Sequence, residues 1–221
     1  MKMSPSRLRA FRYYGRKVQL YVLLCIGLSL ALAFYFRFLS SDGYTDVYDV
    51  LRAVLWLIPY TLLIDNTAWG FYSISYYDSI GLSFSAKRSD LFLGENLWQI
   101  LLIAEVSVVE IILAFLCAET SQLLPYFMFC GISLVVGVIC RMFSALQAKY
   151  GKTLYIIVLV IMAMGGSTLG VLAMNSAGSL RSDQIIFLRH YIYPIGIGVS
   201  LVLYVILNIF NKRQYAHMMV R

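Results

Sequence analysis

Four carboxylates stand in stretches otherwise apolar enough to cross a bilayer, three of them at depth. Asp65 lies in a run from about Leu51 to Gly81, which also holds Asp78, and Glu105 and Glu110 lie in a run from about Asn96 to Ala118. Ionisable groups at membrane depth are costly and usually face a bundle interior or a water-filled path. No Lys, Arg or His lies deep within any apolar stretch, so the sequence offers these acids no internal counter-ion. They must then be protonated, hydrogen-bonded to polar neighbours, or exposed to an aqueous or substrate-filled path. Five residues along a helix is a rotation of about 500°, so Glu105 and Glu110 point about 140° apart and cannot both line one narrow groove. Two roles stay open for Asp65, Glu105 and Glu110: an acidic path suited to cationic or amphipathic substrates, or hydrogen bonding between helices.

Other chemistries find little support. Gly151-Lys152-Thr153 has the ending of a phosphate-binding loop, but Leu146 stands where that loop needs its first glycine, and no strand precedes it. Gly165-Gly166-Ser167 does not complete a nucleophile elbow, and no HExxH is present. The histidines, His190 and His217, lie at a span end and in the tail. Cys25, Cys117, Cys130 and Cys140 lack metal-ligand spacing and sit in or at the ends of apolar runs, where they read as small core residues. The chain is therefore expected to be no enzyme, with no catalytic residue and no metal.

Composition says what must position these groups. Of 221 residues, 61% are hydrophobic and 13% charged, with a mean hydropathy of +0.78. That is about half the charge of an ordinary soluble domain, which excludes a soluble enzyme, a secreted domain and a disordered chain. A crossing needs about 20 largely apolar residues. Val18 to Phe36, Thr120 to Cys140, Thr153 to Leu180 and Tyr191 to Asn211 qualify directly, and the two acid-bearing runs complete a count of six. The fold expected is thus an all-α integral membrane protein, with 1-17 a cytoplasmic amphipathic interfacial helix, 18-211 a six-helix transmembrane domain and 212-221 a cytoplasmic tail. Ala31-Leu32-Ala33 has the form of a signal-peptide cleavage site, but the long basic start favours an uncleaved first span.

Fourteen of the 18 basic residues fall on one side of this arrangement, leaving Arg37, Arg52, Arg181 and Arg189 on the other. The positive-inside rule then places both termini in the cytoplasm. The net charge of +7 is mostly this bias and does not point to nucleic acid. Ser4-Pro5 is a good helix start. Leu8, Phe11 and Tyr14 recur at helical spacing among arginines, which suits a basic helix on a lipid surface. Pro59 supplies a plausible kink in the long second span. Gly166 and Gly170 form a GxxxG pair suited to close helix packing, within the bundle or, less expected, at a subunit interface. No segment outside the spans approaches the roughly 50 residues a domain with its own core needs, so this chain has no room for a nucleotide-binding domain.

The link between the second and third spans, Gly81-Leu82-Ser83-Phe84-Ser85-Ala86-Lys87-Arg88-Ser89-Asp90-Leu91-Phe92-Leu93-Gly94, is hydroxyl-rich, carries two cations and closes on a glycine. It reads equally as a docking element and as an ordinary positive-inside loop. With the six-span layout, it resembles the permease subunits of bacterial type-2 ATP-binding-cassette (ABC) exporters. Many of those have a stretch near L-S-x-G-x-[ST]-R-K-x-F-x-x-G here. Leu82, Ser83, Arg88, Phe92 and Gly94 match it in type and approximate order, whereas Ser85 replaces the usual glycine and Lys87 and Ser89 flank Arg88 unconventionally.

The resemblance implies a membrane-spanning subunit that pairs with a second permease subunit, alike or different, in the bacterial cytoplasmic membrane. Separate ATPase subunits would supply ATP and magnesium, since this chain itself would hold no cofactor. Ser83, Lys87, Arg88, Asp90, Phe92 and Gly94 would form the coupling element that receives the ATPase stroke, and Gly166 and Gly170 would lie at the dimer interface. Substrates of such exporters include peptides, toxins, lipids and drugs. Two other readings stay open: a substrate-binding membrane subunit of an ATPase-coupled vitamin or metal uptake system, and a non-transport membrane sensor or assembly protein.

Overall fold

The computed structural model describes residues 5–39, 47–72, 88–150 and 191–217. These form α1 (Pro5–Leu39), α2 (Val47–Tyr72), α3 (Arg88–Leu116), a short 3-10 turn (Thr120–Gln122), α4 (Leu123–Tyr150) and α5 (Tyr193–His217). No strand occurs among the described residues. All five α-helices are long and apolar enough to cross a membrane. The expected fifth span, with Gly166 and Gly170, lies outside the described residues.

The separate interfacial helix expected over 1-17 is not an independent element. One helix runs unbroken from Pro5 to Leu39, about 52 Å at 1.5 Å per residue. The reason is a single buried stripe: Tyr14, Val18, Cys25, Ser29 and Ala33 recur at spacings that stay on one face, and all five are buried. Nothing between Lys17 and Val18 interrupts the helix, so the arginine-bearing segment continues straight into the bundle.

Helix directions follow from paired contacts. Tyr21 of α1 meets Trp69 of α2, while Cys25 meets Thr61, so α1 and α2 are antiparallel. Tyr14 packs on Gly94 and Tyr21 on Trp98, so α1 and α3 run the same way. Arg141 lies beside Glu95 and Tyr126 beside Ser107, which makes α4 antiparallel to α3. Gly131 faces Ser200 and Arg141 reaches Asn208, so α5 runs parallel to α4. The start of α5 is therefore at the opposite end of the bundle from the end of α4. Below, the basic end is the one where α1 and α3 begin and α4 and α5 finish.

Close approach depends on small residues, as expected where lipid supplies no hydrophobic drive between helices. Along α1 and α2, Ser29 Oγ lies 2.7 Å from Thr61 Oγ1 and donates to the Cys25 carbonyl at 2.8 Å. Gly70 of α2 touches the backbone of α4: a methyl group there would sit 2.7 Å from both Cys140 Cβ and the Gly137 carbonyl oxygen. The four cysteines are free thiols and all are buried, as their apolar setting suggested. Between α1, α2 and α3, Trp69 and Trp98 stack at 4.0 Å, with Tyr21 edge-on to each at 5.2 Å. Such aromatic pairs add about 0.5–1.5 kcal/mol each beyond the area they bury.

At the other end, α3 stops in a Schellman arrangement. Glu119 N–H donates to the Ala114 carbonyl at 2.8 Å and Ala118 N–H to the Phe115 carbonyl at 3.3 Å. Ala118 takes the left-handed position, φ 57°, where glycine is usual. The turn brings Glu119 back over α2, where it pairs with Arg52 at 3.2 Å.

Candidate functional site

The polar interior of the bundle is organised by Arg141, a residue that the positive-inside count assigned to a cytoplasmic loop. That assignment ended the fourth span at Cys140, whereas α4 continues ten residues further, to Tyr150. Arg141 is fully buried. The expectation that the bundle holds no internal cation is therefore overturned.

Three groups on one face of α3 receive the guanidinium. Its nitrogens donate to Gln99 Oε1 at 2.7 Å, Asn96 Oδ1 at 3.0 Å and Glu95 Oε2 at 3.4 Å. A further bond reaches Asn208 Oδ1 of α5 at 3.4 Å. Residues 95, 96 and 99 fall together because three- and four-residue steps share a helix face. Their polar types inside an apolar run were the available sequence signal. Planar, multi-donor recognition of this sort is what arginine does and lysine cannot.

The network extends across α2. Gln99 Nε2 donates to Asn66 Oδ1 at 3.4 Å, and Asn66 Nδ2 to Ser133 Oγ at 2.8 Å. Tyr204 of α5 donates its hydroxyl to Asn96 Oδ1 at 3.3 Å. One polar chain thus links α2, α3, α4 and α5. It is not saturated: Arg141 Nε, Ser144 Oγ and both polar side-chain atoms of Asn211 lack a hydrogen-bond partner among the described residues. Buried polar groups in such surroundings are ordinarily completed by ordered water or a ligand.

The membrane carboxylates separate as the helical angle required. Glu110 is buried and Glu105 is exposed on the outside of this bundle. Asp65 is also buried. Asp65 Oδ2 and Glu110 Oε2 have no hydrogen-bond partner among the described residues. Glu110 lines a small cavity of about 40 Å³ between α2, α3 and α4. A wider surface groove of about 310 Å³, lined by Phe36, Asp49, Arg52 and Trp56, lies beside it toward the same end.

Of the link residues, Ser83 and Lys87 lie outside the described residues, and Arg88 is the first residue of α3. Asp90, Phe92 and Gly94 are buried in the first turns of α3. Gly94 has no side chain because the Tyr14 ring occupies that space. Gly94 thus lets α1 pack closely on α3. Among the described residues, no group of three or more His, Cys, Asp or Glu side chains could hold a metal ion.

No family model matches this chain, no curated protein matches it, and no solved structure matches it.

Proposed function

We propose that this chain is the membrane-spanning subunit of an ABC exporter, forming with a second permease subunit the path for an amphipathic substrate. Separate ATPase subunits beneath the basic end, which we place in the cytoplasm of a bacterial cell, would drive it. The observation that carries the reading is the continuity between the link and the buried polar network. Glu95, the first network residue, directly follows Gly94, the last residue of the link. A displacement at the start of α3 is therefore passed through a packed helix face to Arg141, and from there to α4 and α5. Packed elements of this kind shift between discrete arrangements rather than deforming smoothly.

The parallel packing of α4 and α5 supports a sixth crossing. The chain leaves α4 at the basic end and enters α5 at the other, an order that fits the expected sixth crossing. The start of α1 and the finish of α5 share the basic end, where a membrane-bound ATPase partner would dock.

Tagging the chain, extracting it gently from its native host and identifying what copurifies tests the proposal. A stoichiometric ATPase subunit with ATP turnover is the expected result, and its absence in mild detergent with ATP present would sink the reading. Within such a complex, Arg88→Glu is expected to weaken ATPase docking or substrate-coupled ATP hydrolysis while leaving the bundle folded. Normal docking and coupling in that variant would remove Arg88 from the mechanism. Asp65→Asn is expected to change transport of a cationic substrate more than protein abundance, and equal loss of both would make Asp65 structural.

A further inference from the structure

The cavity at Glu110 has a composition that neither helix packing nor the network at Arg141 explains. Its deep end is formed by Glu110 and Tyr126, both 1% exposed. Its outer wall is aromatic: Trp56 and Tyr60, each about half exposed, and Phe129, whose ring centroid lies 5.3 Å from that of Tyr60. Tyr126 is held in place through its hydroxyl, 3.0 Å from Ser107 Oγ. Glu110 Oε2 has no hydrogen-bond partner among the described residues. Leu55 and Pro59 complete one side. The cavity thus combines a buried acid and several aromatic rings.

These are the elements that recognise an organic ammonium group. A carboxylate in apolar surroundings is ionised only with a counter-charge beside it, which an ammonium group supplies, and aromatic rings attract a desolvated cation over their faces. The volume of about 40 Å³ holds a few water-sized groups, at roughly 10–15 Å³ each. That suits an ammonium head and not a whole amphipathic molecule. The half-exposed outer wall leaves room for an alkyl tail to lie along the lipid-facing surface. The nearby guanidinium of Arg52, one turn before Trp56, is neutralised by Glu119 at 3.2 Å.

We infer that the cavity lined by Glu110, Trp56, Tyr60, Tyr126 and Phe129 binds the ammonium head of an amphipathic amine whose tail remains in the bilayer. The binding site rests on its own geometry. That the bound amine is the exported cargo rests, in addition, on the transporter reading above.

Equilibrium binding to the purified full chain tests the site without any ATPase, so failure here and failure to find an ATPase partner are separate results. The chain is placed in nanodiscs of an uncharged galactolipid and titrated with decylammonium, with decanol as the neutral molecule of equal tail length. Decylammonium is expected to bind saturably and about tenfold or more tighter than decanol. Glu110→Gln is expected to weaken it by a similar factor, given the cost of removing one partner of a desolvated charge pair. Glu105→Gln, on the outer surface, is expected to leave it unchanged. Trp56→Leu is expected to weaken it about threefold.

Phosphatidylethanolamine added to the discs distinguishes the source of the ammonium. A raised apparent Kd for decylammonium marks a lipid headgroup as the natural occupant, and an unchanged one marks a free amphipathic amine. Equal binding of decanol and decylammonium, or undiminished binding by Glu110→Gln, overturns the inference. Should Glu110→Gln fail to fold, the half-exposed Trp56→Leu decides the matter, since full affinity in that variant also overturns it.

Discussion

Replacing Arg141 with methionine is expected to lower the thermal midpoint of the purified protein by on the order of 10 °C. The substitution keeps most of the side-chain volume but removes the donors that satisfy Gln99, Asn96 and Asn208 and the counter-charge of Glu95. Breaking one partner of a buried ion pair typically costs about 3–5 kcal/mol, because the other charge stays buried without compensation. For a chain of this size each kcal/mol moves the midpoint by roughly 2–4 °C. The cycle is completed by Glu95→Gln in both backgrounds. Adding Glu95→Gln to Arg141→Met should recover part of the loss, whereas the same change in the native background should destabilise. Strict additivity would show that the 3.4 Å pair contributes nothing of its own, and that Arg141 acts through its amide partners alone.

Gly70→Ala is expected to produce the second large effect, a loss of about 1–3 kcal/mol from overpacking. The added methyl would lie 2.7 Å from the Gly137 carbonyl oxygen and from Cys140 Cβ. Neither is the loose end of a side chain, so α2 and α4 must separate. Their separation also pulls Asn66 away from Ser133, at the same interface. Gly27→Ala provides the contrast. A methyl group there meets nothing within 4 Å, and alanine is favoured over glycine in a helix interior by about 1 kcal/mol. Chemical or thermal unfolding of the two variants in one detergent should therefore move in opposite directions. A neutral Gly70→Ala would mean that the two helices are not in contact at this point.

The two substitutions probe one device from different sides. Gly70 and Gly137 let α2 and α4 approach, and that approach brings Asn66 within reach of Ser133 and Gln99. The polar network is thus a consequence of close backbone packing. Removing the packing should weaken hydrogen bonds several residues away, with no polar residue altered.

The membrane class was legible from composition alone, because 13% charged residues cannot coat the surface of a soluble chain. Four cysteines as core residues, and the divergence of Glu105 from Glu110, followed from local context and from the 100° step of a helix. These properties depend only on residue type and on spacing along one element, and the structure agrees with them: the thiols are buried, Glu110 is inside and Glu105 outside.

Tertiary packing decided the rest. Arg141 and the arginines of the N-terminal segment look alike in sequence, each a cation near the end of an apolar run. Arg141 is interior only because polar residues from α3 and α5 arrive opposite it. Likewise, Tyr14 is a core residue because Gly94 of α3 leaves space for its ring. Whether a polar side chain near a span end is buried depends on its partners in other helices, and those are distant in sequence: Glu95 lies 46 residues from Arg141 and Asn208 lies 67. Spacing within one helix cannot encode that meeting, so it is the bundle that makes these separated residues into one site.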